Sequence, residues 1–495
     1  MSKSNLSRRQ FMNQTIAAAG IGAGFAIGGT KSSGRVIGAN DTIRIAVAGL
    51  NGRGSAHIDE FVKMPGVEIT YLVDPDTRTY KKRLEQIQKK GGRAPATVQD
   101  VRRVLEDNSV DAITVATPNH WHALMTVWGC QAGKDVYVEK PCSHNVHEGR
   151  IAVEAARRNN RIVQHGTQSR SSHDWALAAA AIQSGKLGKL LVSRALCYKP
   201  RGSIGVKPNA APPEQVDFDL WLGPAPKQPY HENLVHYNWH WFWDFGNGDI
   251  GNQGVHEMDK ARWLIPAASS NGQSASATLP KTVLSVGGRF GYRDQGETAN
   301  TQISVMDYGD TQLIFEVRGL KTDGFHGSKV GNIAHLEEGM IVDGKLFYPK
   351  GETKAVPLGS LVKLDVDRGP GRGHFGNFIA AMRSRKVDDL NADILQGHYS
   401  AALCHLANVS YRLGEDVPFN KSTKAFGDDK QANEALGRME EHLKENSVAL
   451  DGLNYRLGRR LTFDAANESF VGDSEANHLL TRRYRAPFVV PDRLT

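Results

Sequence analysis

Residues 43–54 read Ile-Arg-Ile-Ala-Val-Ala-Gly-Leu-Asn-Gly-Arg-Gly, and an apolar run from Glu68 to Val73 ends in Asp74. The β-branched run predicts a strand, the glycines a tight turn, and the pattern from Ser55 a helix. An acidic residue closing the next strand-like run completes the layout of a Rossmann dinucleotide site. Gly49 and Gly54 fill the outer slots of G-x-G-x-x-G, Asn51 the middle one, and Gly52 and Arg53 lie between. Asn tolerates left-handed backbone angles better than most residues, which suits it to that slot. The helix N-terminus would offer N–H groups to a pyrophosphate. Asp74 would accept hydrogen bonds from the ribose. Its charge opposes a 2′-phosphate and favours NAD, while Arg78, four residues on, leaves NADP open. A ligand-free strand–helix turn would need the same glycines; Asp74 and the motifs below weigh against it.

The alternation continues outward from this turn. Strand-like runs at 43–49, 68–73, 112–116, 135–139 and 162–165 alternate with helical patterns at 55–64, 77–90, 101–107, 121–132 and 145–158. This predicts an α/β, doubly wound parallel sheet: a Rossmann domain over 41–166. Past Gly166, a helix near 173–184 leads to β-type runs at 190–197, 282–290, 301–306 and 312–318. Successive strands predict a C-terminal α+β domain, 167–415, on an open, mostly antiparallel sheet. A face of that sheet could pair subunits, so a homo-oligomer is expected. The Pro- and aromatic-rich stretch 200–245 is long enough to shape a pocket rim. Helical patterns follow at 374–385 and 392–414, the second expected to pack back on the first domain. The extension 416–495 holds a charged helix, 430–446, and a Pro-containing end with no legible place.

Residues 1–40 are of another kind. Ser7-Arg8-Arg9-Gln10-Phe11-Met12 is a twin-arginine signature, followed by an uncharged Ala/Gly-rich run from Thr15 to Thr30. That run is too short and too glycine-rich for a stable membrane span. The pair reads as a Tat export signal, with the Tat machinery as partner and the periplasm as destination. No clear A-x-A site fixes the cleavage point. Lys3, Arg8, Arg9, Lys31 and Arg35 precede the first acid, Asp41, and carry most of the formal +8 charge. The remainder is weakly basic, which argues against nucleic acid as a partner. Cys130, Cys142, Cys197 and Cys404 show no metal or redox spacing; one disulfide is allowed after export.

Two motifs close predicted parallel strands, where open α/β sheets bind ligands. Thr117-Pro118-Asn119-His120-Trp121-His122 follows 112–116, and Glu139-Lys140-Pro141 follows 135–139. A lysine beside a nicotinamide could hold a substrate hydroxyl and share its proton. His120 and His122 have no acid or cysteine partner nearby, so the H-x-H pair reads as a helix start or cofactor edge, not a metal site. The third cluster is Trp239-His240-Trp241-Phe242-Trp243-Asp244 and the Gly/Asn/Asp-rich run 246–259. Apolar ring faces beside polar turns suit a carbohydrate. His256 falls near a helix start, with Asn252 at i−4 and Asp259 at i+3 on its face. A neutral histidine so placed can take a hydroxyl proton as hydride leaves the carbon. A buried aromatic core with one satisfied histidine would share this composition.

Together these motifs resemble the glucose–fructose oxidoreductase/inositol dehydrogenase/MocA family, over about 42–415. The resemblance rests on the turn 49–54, Asp74, Thr117–His122, Glu139-Lys140-Pro141, and His256 before Asp259 and Arg262-Trp263. It implies an oxidoreductase acting on a sugar or polyol, with Lys140 and His256 in the catalytic positions. The cofactor would lie across 49–54, 74, 117–122 and 139–140, and Pro141 would be cis. Family members often carry Asp four residues before the histidine, where this chain has Asn252; Asn cannot accept a proton, and Asp249 is the candidate substitute. The tail 420–495 resembles an extension of exported members. Outside the cytoplasm, a nicotinamide cofactor would have to stay bound and be recycled in place. Two substrates could do that, or a redox-neutral cycle of oxidation, elimination, hydration and reduction, as in the similar NAD-dependent α-N-acetylgalactosaminidases. A sugar-binding protein with a structural NAD site is the reading that Asn252 supports.

Overall fold

The first sheet has six short strands: β1 (Ile43–Ala48), β2 (Val67–Val73), β3 (Ala96–Val98), β4 (Ala112–Val115), β5 (Asp135–Val138) and β6 (Val163–His165). In this computed structural model, which describes residues 41–267, 278–420 and 424–494, they lie in the order β3-β2-β1-β4-β5-β6. All five pairings are parallel. That is the doubly wound order whose strand carboxyl ends form a ligand crevice. Ala48 pairs with both Val73 and Val115. The register therefore brings Gly49, Asp74 and Ala116 to one edge. β3 was not expected: its three residues carry no apolar run, and two of them are exposed. The twin-arginine segment lies outside the described residues.

The second sheet follows the helix His173–Gln183. Its strands are β7 (Leu190–Tyr198), β8 (Thr282–Gly288), β9 (Thr301–Asp307), β10 (Gln312–Arg318), β11 (Val330–Leu336), β12 (Gly339–Val342), β13 (Leu346–Pro349), β14 (Val356–Pro357), β15 (Glu415–Pro418) and β16 (Asn454–Leu457). They run β14-β13-β12-β11-β7-β10-β9-β8-β16-β15, with a small pair β17 (Leu461–Asp464) and β18 (Ser469–Phe470) off the edge of β8. β7 and β10 pair in parallel; the other pairings are antiparallel. One face carries the helices His173–Gln183, Gly254–Leu264 and Ile394–Arg412 over a shared core. The last of these also packs on the Rossmann helix Val146–Arg158, as its apolar pattern predicts.

On the other face, the chain's own helix Lys430–Glu445 covers the central strands. Ala432, Ala435, Met439 and Leu443 pack against Val286, Ile303 and Ile314. Arg438 from that helix meets Glu316, which is fully buried in β10 and also paired with Arg194 and Arg318. Beyond it the tail crosses to the first domain, where Phe488, Val490 and Leu494 join the core around Trp121 and Trp128. The four cysteines are buried free thiols, so the allowed disulfide is not formed. Among the described residues no helix is long and apolar enough to cross a membrane.

Candidate active site

Two glycines build the turn after β1. Gly49 sits at φ +85°, and a Cβ there would lie 2.4 Å from the Ala116 carbonyl oxygen. A Cβ on Gly54 would lie 1.9 Å from the Gly49 oxygen. Asn51 does not take the left-handed conformation expected of it; in this turn only Gly49 does. The bend is closed by backbone contacts at the two glycines, so the middle slot carries no such demand. A Cβ on Gly52 would meet nothing within 4 Å, which leaves that side open. Arg83 donates to the carbonyls of Leu50 at 2.7 Å and Asn51 at 2.9 Å. With the carbonyls engaged, the N–H groups of Asn51, Gly52 and Arg53 have no acceptor among the described residues. A run of free N–H groups leading into a helix is suited to an anion such as a pyrophosphate.

Asp74 follows β2 and accepts N–H bonds from Leu50 at 2.8 Å and Asp76 at 2.9 Å. Burial pushes its carboxyl up to about 6 against those two bonds. Each oxygen keeps a lone pair for a ribose hydroxyl, so the residue fits the role expected of it. Arg78 is committed elsewhere: it forks onto Asp76, with Nη2 at 2.6 Å from Oδ2.

After β4, Thr117, Pro118, Asn119 and His122 line the same cavity. The His122 ring bridges two strand ends, lying 2.6 Å from the Pro141 carbonyl and 2.8 Å from that of Thr117. His120 Nε2 meets the Trp221 carbonyl at 3.0 Å, and its ring packs on Phe245 and Trp221. Burial lowers both imidazoles.

After β5, Glu139 ties the glycine turn to the strand. Its Oε1 takes Arg53 Nε at 2.7 Å and His57 Nε2 at 3.1 Å. Burial alone would raise this carboxyl, but His57 and Arg53 hold it well below the usual range. Burial lowers His57, and its Nδ1 has no partner, as in a neutral ring donating only from Nε2. The Lys140–Pro141 bond is cis. Lys140 Nζ donates to the backbone carbonyl of Asn252 at 2.9 Å and to its Oδ1 at 3.2 Å. Burial lowers its pKa, opposed by Glu139.

Asn252 closes the short helix Gly248–Gly251, and His256 lies in the next helix, Gly254–Leu264. The His256 imidazole has no hydrogen bond within the described residues and stands on the cavity wall. Burial first, then the Lys140 charge, pushes it down to about 3. It is a neutral base at any ordinary pH. Asp259 is engaged by Arg170 at 2.8 Å and Ser400 at 2.6 Å, which anchors this helix. Asp249 does not take the role offered to it. Its carboxylate is gripped by Arg201, with Nη2 2.7 Å from Oδ1, and it is off the cavity wall.

These groups surround one cavity of about 350 Å³. Gly49, Asn51, Gly52, Arg53, Asp74, Thr117, Pro118, Asn119, His122, Glu139, Lys140, Asn252 and His256 all line it, while Gly54 and Asp249 do not. Gln168, His236, Tyr237 and Trp239 also line it, and sequence reading gave none of the first three a role. Arg83 was missed too. It reads as a solvent-facing basic residue of an amphipathic helix, and its partners lie more than thirty positions away.

Residues 43–167 match the oxidoreductase family, NAD-binding Rossmann fold, and residues 192–281 match the same family's C-terminal alpha/beta domain. Over these two segments the chain is similar to the Gfo/Idh/MocA family of oxidoreductases. It is 27% identical over 167 residues to a glycosyl hydrolase family 109 protein of Shewanella pealeana, covering 33% of this chain and 37% of that one. It is 32% identical over 148 residues to a scyllo-inositol 2-dehydrogenase (NAD(+)) of Bacillus subtilis, covering 30% of this chain and 42% of the relative. The chain thus spans about two fifths of the length of these relatives. In fold it is similar to the WlbA dehydrogenase from Bordetella pertussis, solved in complex with NADH and UDP-GlcNAcA. That likeness has a TM-score of 0.53 at 17% identity, over 75% of this chain and 97% of the other.

Proposed function

We propose that this chain is an NAD(P)-dependent oxidoreductase for a sugar or sugar-like polyol, with a tightly held nicotinamide cofactor recycled on the protein. The observation that carries the reading is that Lys140, Asn252 and His256 share one cavity with the glycine turn and Asp74. When bound, the cofactor supplies a hydride acceptor for a substrate carbinol carbon. Asn51, Gly52 and Arg53 would bind its pyrophosphate, and Asp74 its ribose. Lys140 would hold the reacting hydroxyl oxygen, and His256 would take that hydroxyl's proton as the carbon loses hydride. Asn252 fixes Lys140 through two acceptors, so its part is to position a charged donor, not to relay a proton. NAD is the favoured form, because Asp74 opposes a 2′-phosphate and Arg78 is tied to Asp76. The names of the dehydrogenase relatives support a sugar or polyol substrate.

Export by the Tat route is part of the same proposal. Its support is the twin-arginine run 7–12 and the apolar segment behind it. Arg8→Lys with Arg9→Lys should leave the protein in the cytoplasm on fractionation; export of the double variant would contradict it.

The activity test uses a panel of sugars and aryl glycosides, following bound-NADH absorbance and aglycone release separately. Lasting reduction of bound cofactor without aglycone release is the expected result. Aglycone release with no lasting absorbance change would instead make the chain a redox-neutral glycosidase. Sugar binding with neither signal would make it a binding protein. His256→Ala and Lys140→Met should each cost about 10²–10⁴-fold in rate while keeping the dinucleotide. Wild-type rates in both variants would overturn the site assignment.

A further inference from the structure

The ribose end of the cavity has a wall that the Rossmann domain does not supply. Leu220, Trp221 and His236, from the stretch between β7 and β8, line it together with Asp74 and Val101. This stretch is fastened to the loop after β2. The Asp217 N–H donates to the Pro75 carbonyl at 2.9 Å, and the Thr77 N–H to the Gln215 carbonyl at 3.0 Å. Asp76 and Val216 form an antiparallel bridge. His236 Nε2 lies 2.8 Å from Asp76 Oδ2, and Asp76 is almost wholly buried. The fastening continues onto the helix after β4. Trp121 Nε1–H donates to the Leu220 carbonyl at 3.1 Å and the Trp221 carbonyl at 3.2 Å. Gly223, at φ +47°, lets the chain pass over that indole, since a Cβ there would lie 2.3 Å from its ring. On the outer side, Arg485 of the tail bonds the carbonyls of Asp219 and Gly223.

We propose that residues 213–237 form a fixed strap across the adenosine end of the cofactor cleft. Leu220 and Trp221 cover the bound nucleoside, and the Asp76–His236 pair latches the strap. The proposal rests on the dinucleotide reading above and adds how retention is achieved. A ligand held by an open Rossmann edge leaves by breaking its own contacts. Here it leaves only after the strap also opens, so the dissociation rate falls more than the contacts alone dictate. A cofactor slow to leave must recover its starting redox state on the protein in each cycle.

The test loads the full chain with isotope-labelled NAD, chases with excess unlabelled NAD, and measures label retained after rapid filtration. Wild type should retain label for many minutes. His236→Ala should speed loss at least tenfold, and Gly223→Ala, which drives a methyl into Trp121, should do the same. Glu232→Ala, in the same stretch with its carboxylate on the exposed Lys207, should leave the rate unchanged. As a second readout, amide hydrogen exchange at Thr77 and Asp217 should be slower with NAD bound than without it. Loss of label from His236→Ala and Gly223→Ala at the wild-type rate, or wild-type exchange within seconds, overturns the strap. Folded wild type that takes up no NAD at all overturns the dinucleotide reading, and the strap with it.

Discussion

In the proposed site Lys140, half-buried on the cavity wall, would have to stay charged to hold a hydroxyl, and Asn252 serves that end. Its two oxygens accept from Nζ, so the ammonium keeps partners out of bulk water. Asn252→Ala should remove the side-chain acceptor and lower kcat about tenfold, since hydrogen bonds to charged groups are worth about 1.5–3 kcal/mol. Asn252→Asp should raise the lysine pKa, seen as a shifted alkaline limb in kcat/KM. His256 gives a second pH signature. Burial and the Lys140 charge push its pKa down to about 3, so protonation would remove the proposed base only well below pH 5. The kcat/KM profile should therefore show no acid limb near 6.5; such a limb assigned to His256 would contradict the site. That Gly49, Asp74, Lys140 and His256 share one cavity was legible in the sequence, the first three because each closes a strand of the first sheet and His256 because it starts the helix behind the Gly/Asn/Asp-rich run. Arg83 and His236 were not, because His236 meets Asp76 across 160 positions, and no local pattern encodes that distance.

At the scale of elements, the strands of the first sheet other than the exposed β3 announce themselves as largely apolar runs, because both faces of a parallel sheet are buried. β11 to β14 were missed: residues 330–357 are cut by Gly339, Gly344, Gly351 and charged residues, and β12 to β14 are at most four residues long. The order of the second sheet was also hidden, since the parallel β7–β10 pairing depends on a crossover of more than a hundred residues. The glycine turn is held from outside by the helix Tyr80–Gln88 through Arg83. Arg83→Met should release those carbonyls and weaken dinucleotide affinity about tenfold or more, by the same value for charged hydrogen bonds. Isothermal calorimetry with NAD checks it; unchanged affinity would mean the turn is set by its glycines alone.

Across the whole molecule, the tail joins both domains, and nothing in the sequence announced it. Its helix covers the sheet, and its end packs beside Trp121 and Trp128. Phe488→Ala empties a nearly sealed site and should cost roughly 3–5 kcal/mol, as buried aromatic truncations do; thermal or urea unfolding reads it. Glu468 adds a pH dependence, bound to His398 at 2.8 Å and to Arg150. Burial would raise its carboxyl, but these partners hold it at about 2, below the ordinary 4.5. A depressed carboxyl stabilises the fold above its unfolded value and loses that contribution as pH falls from about 4.5 through about 2. Glu468→Gln should therefore be less stable than wild type at pH 7, with the gap closing as acid is added.

The roles proposed for Arg83, Lys140, Asn252 and His256 depend on a nicotinamide dinucleotide lying along the glycine turn toward Lys140 and His256. The absorbance spectrum and mass of the nucleotide released from freshly purified, folded protein test this most directly. The expected result is near-stoichiometric NAD or NADH, and its loss in Asp74→Ala. Folded protein that releases no nucleotide, and binds neither NAD nor NADP in calorimetry, would contradict it.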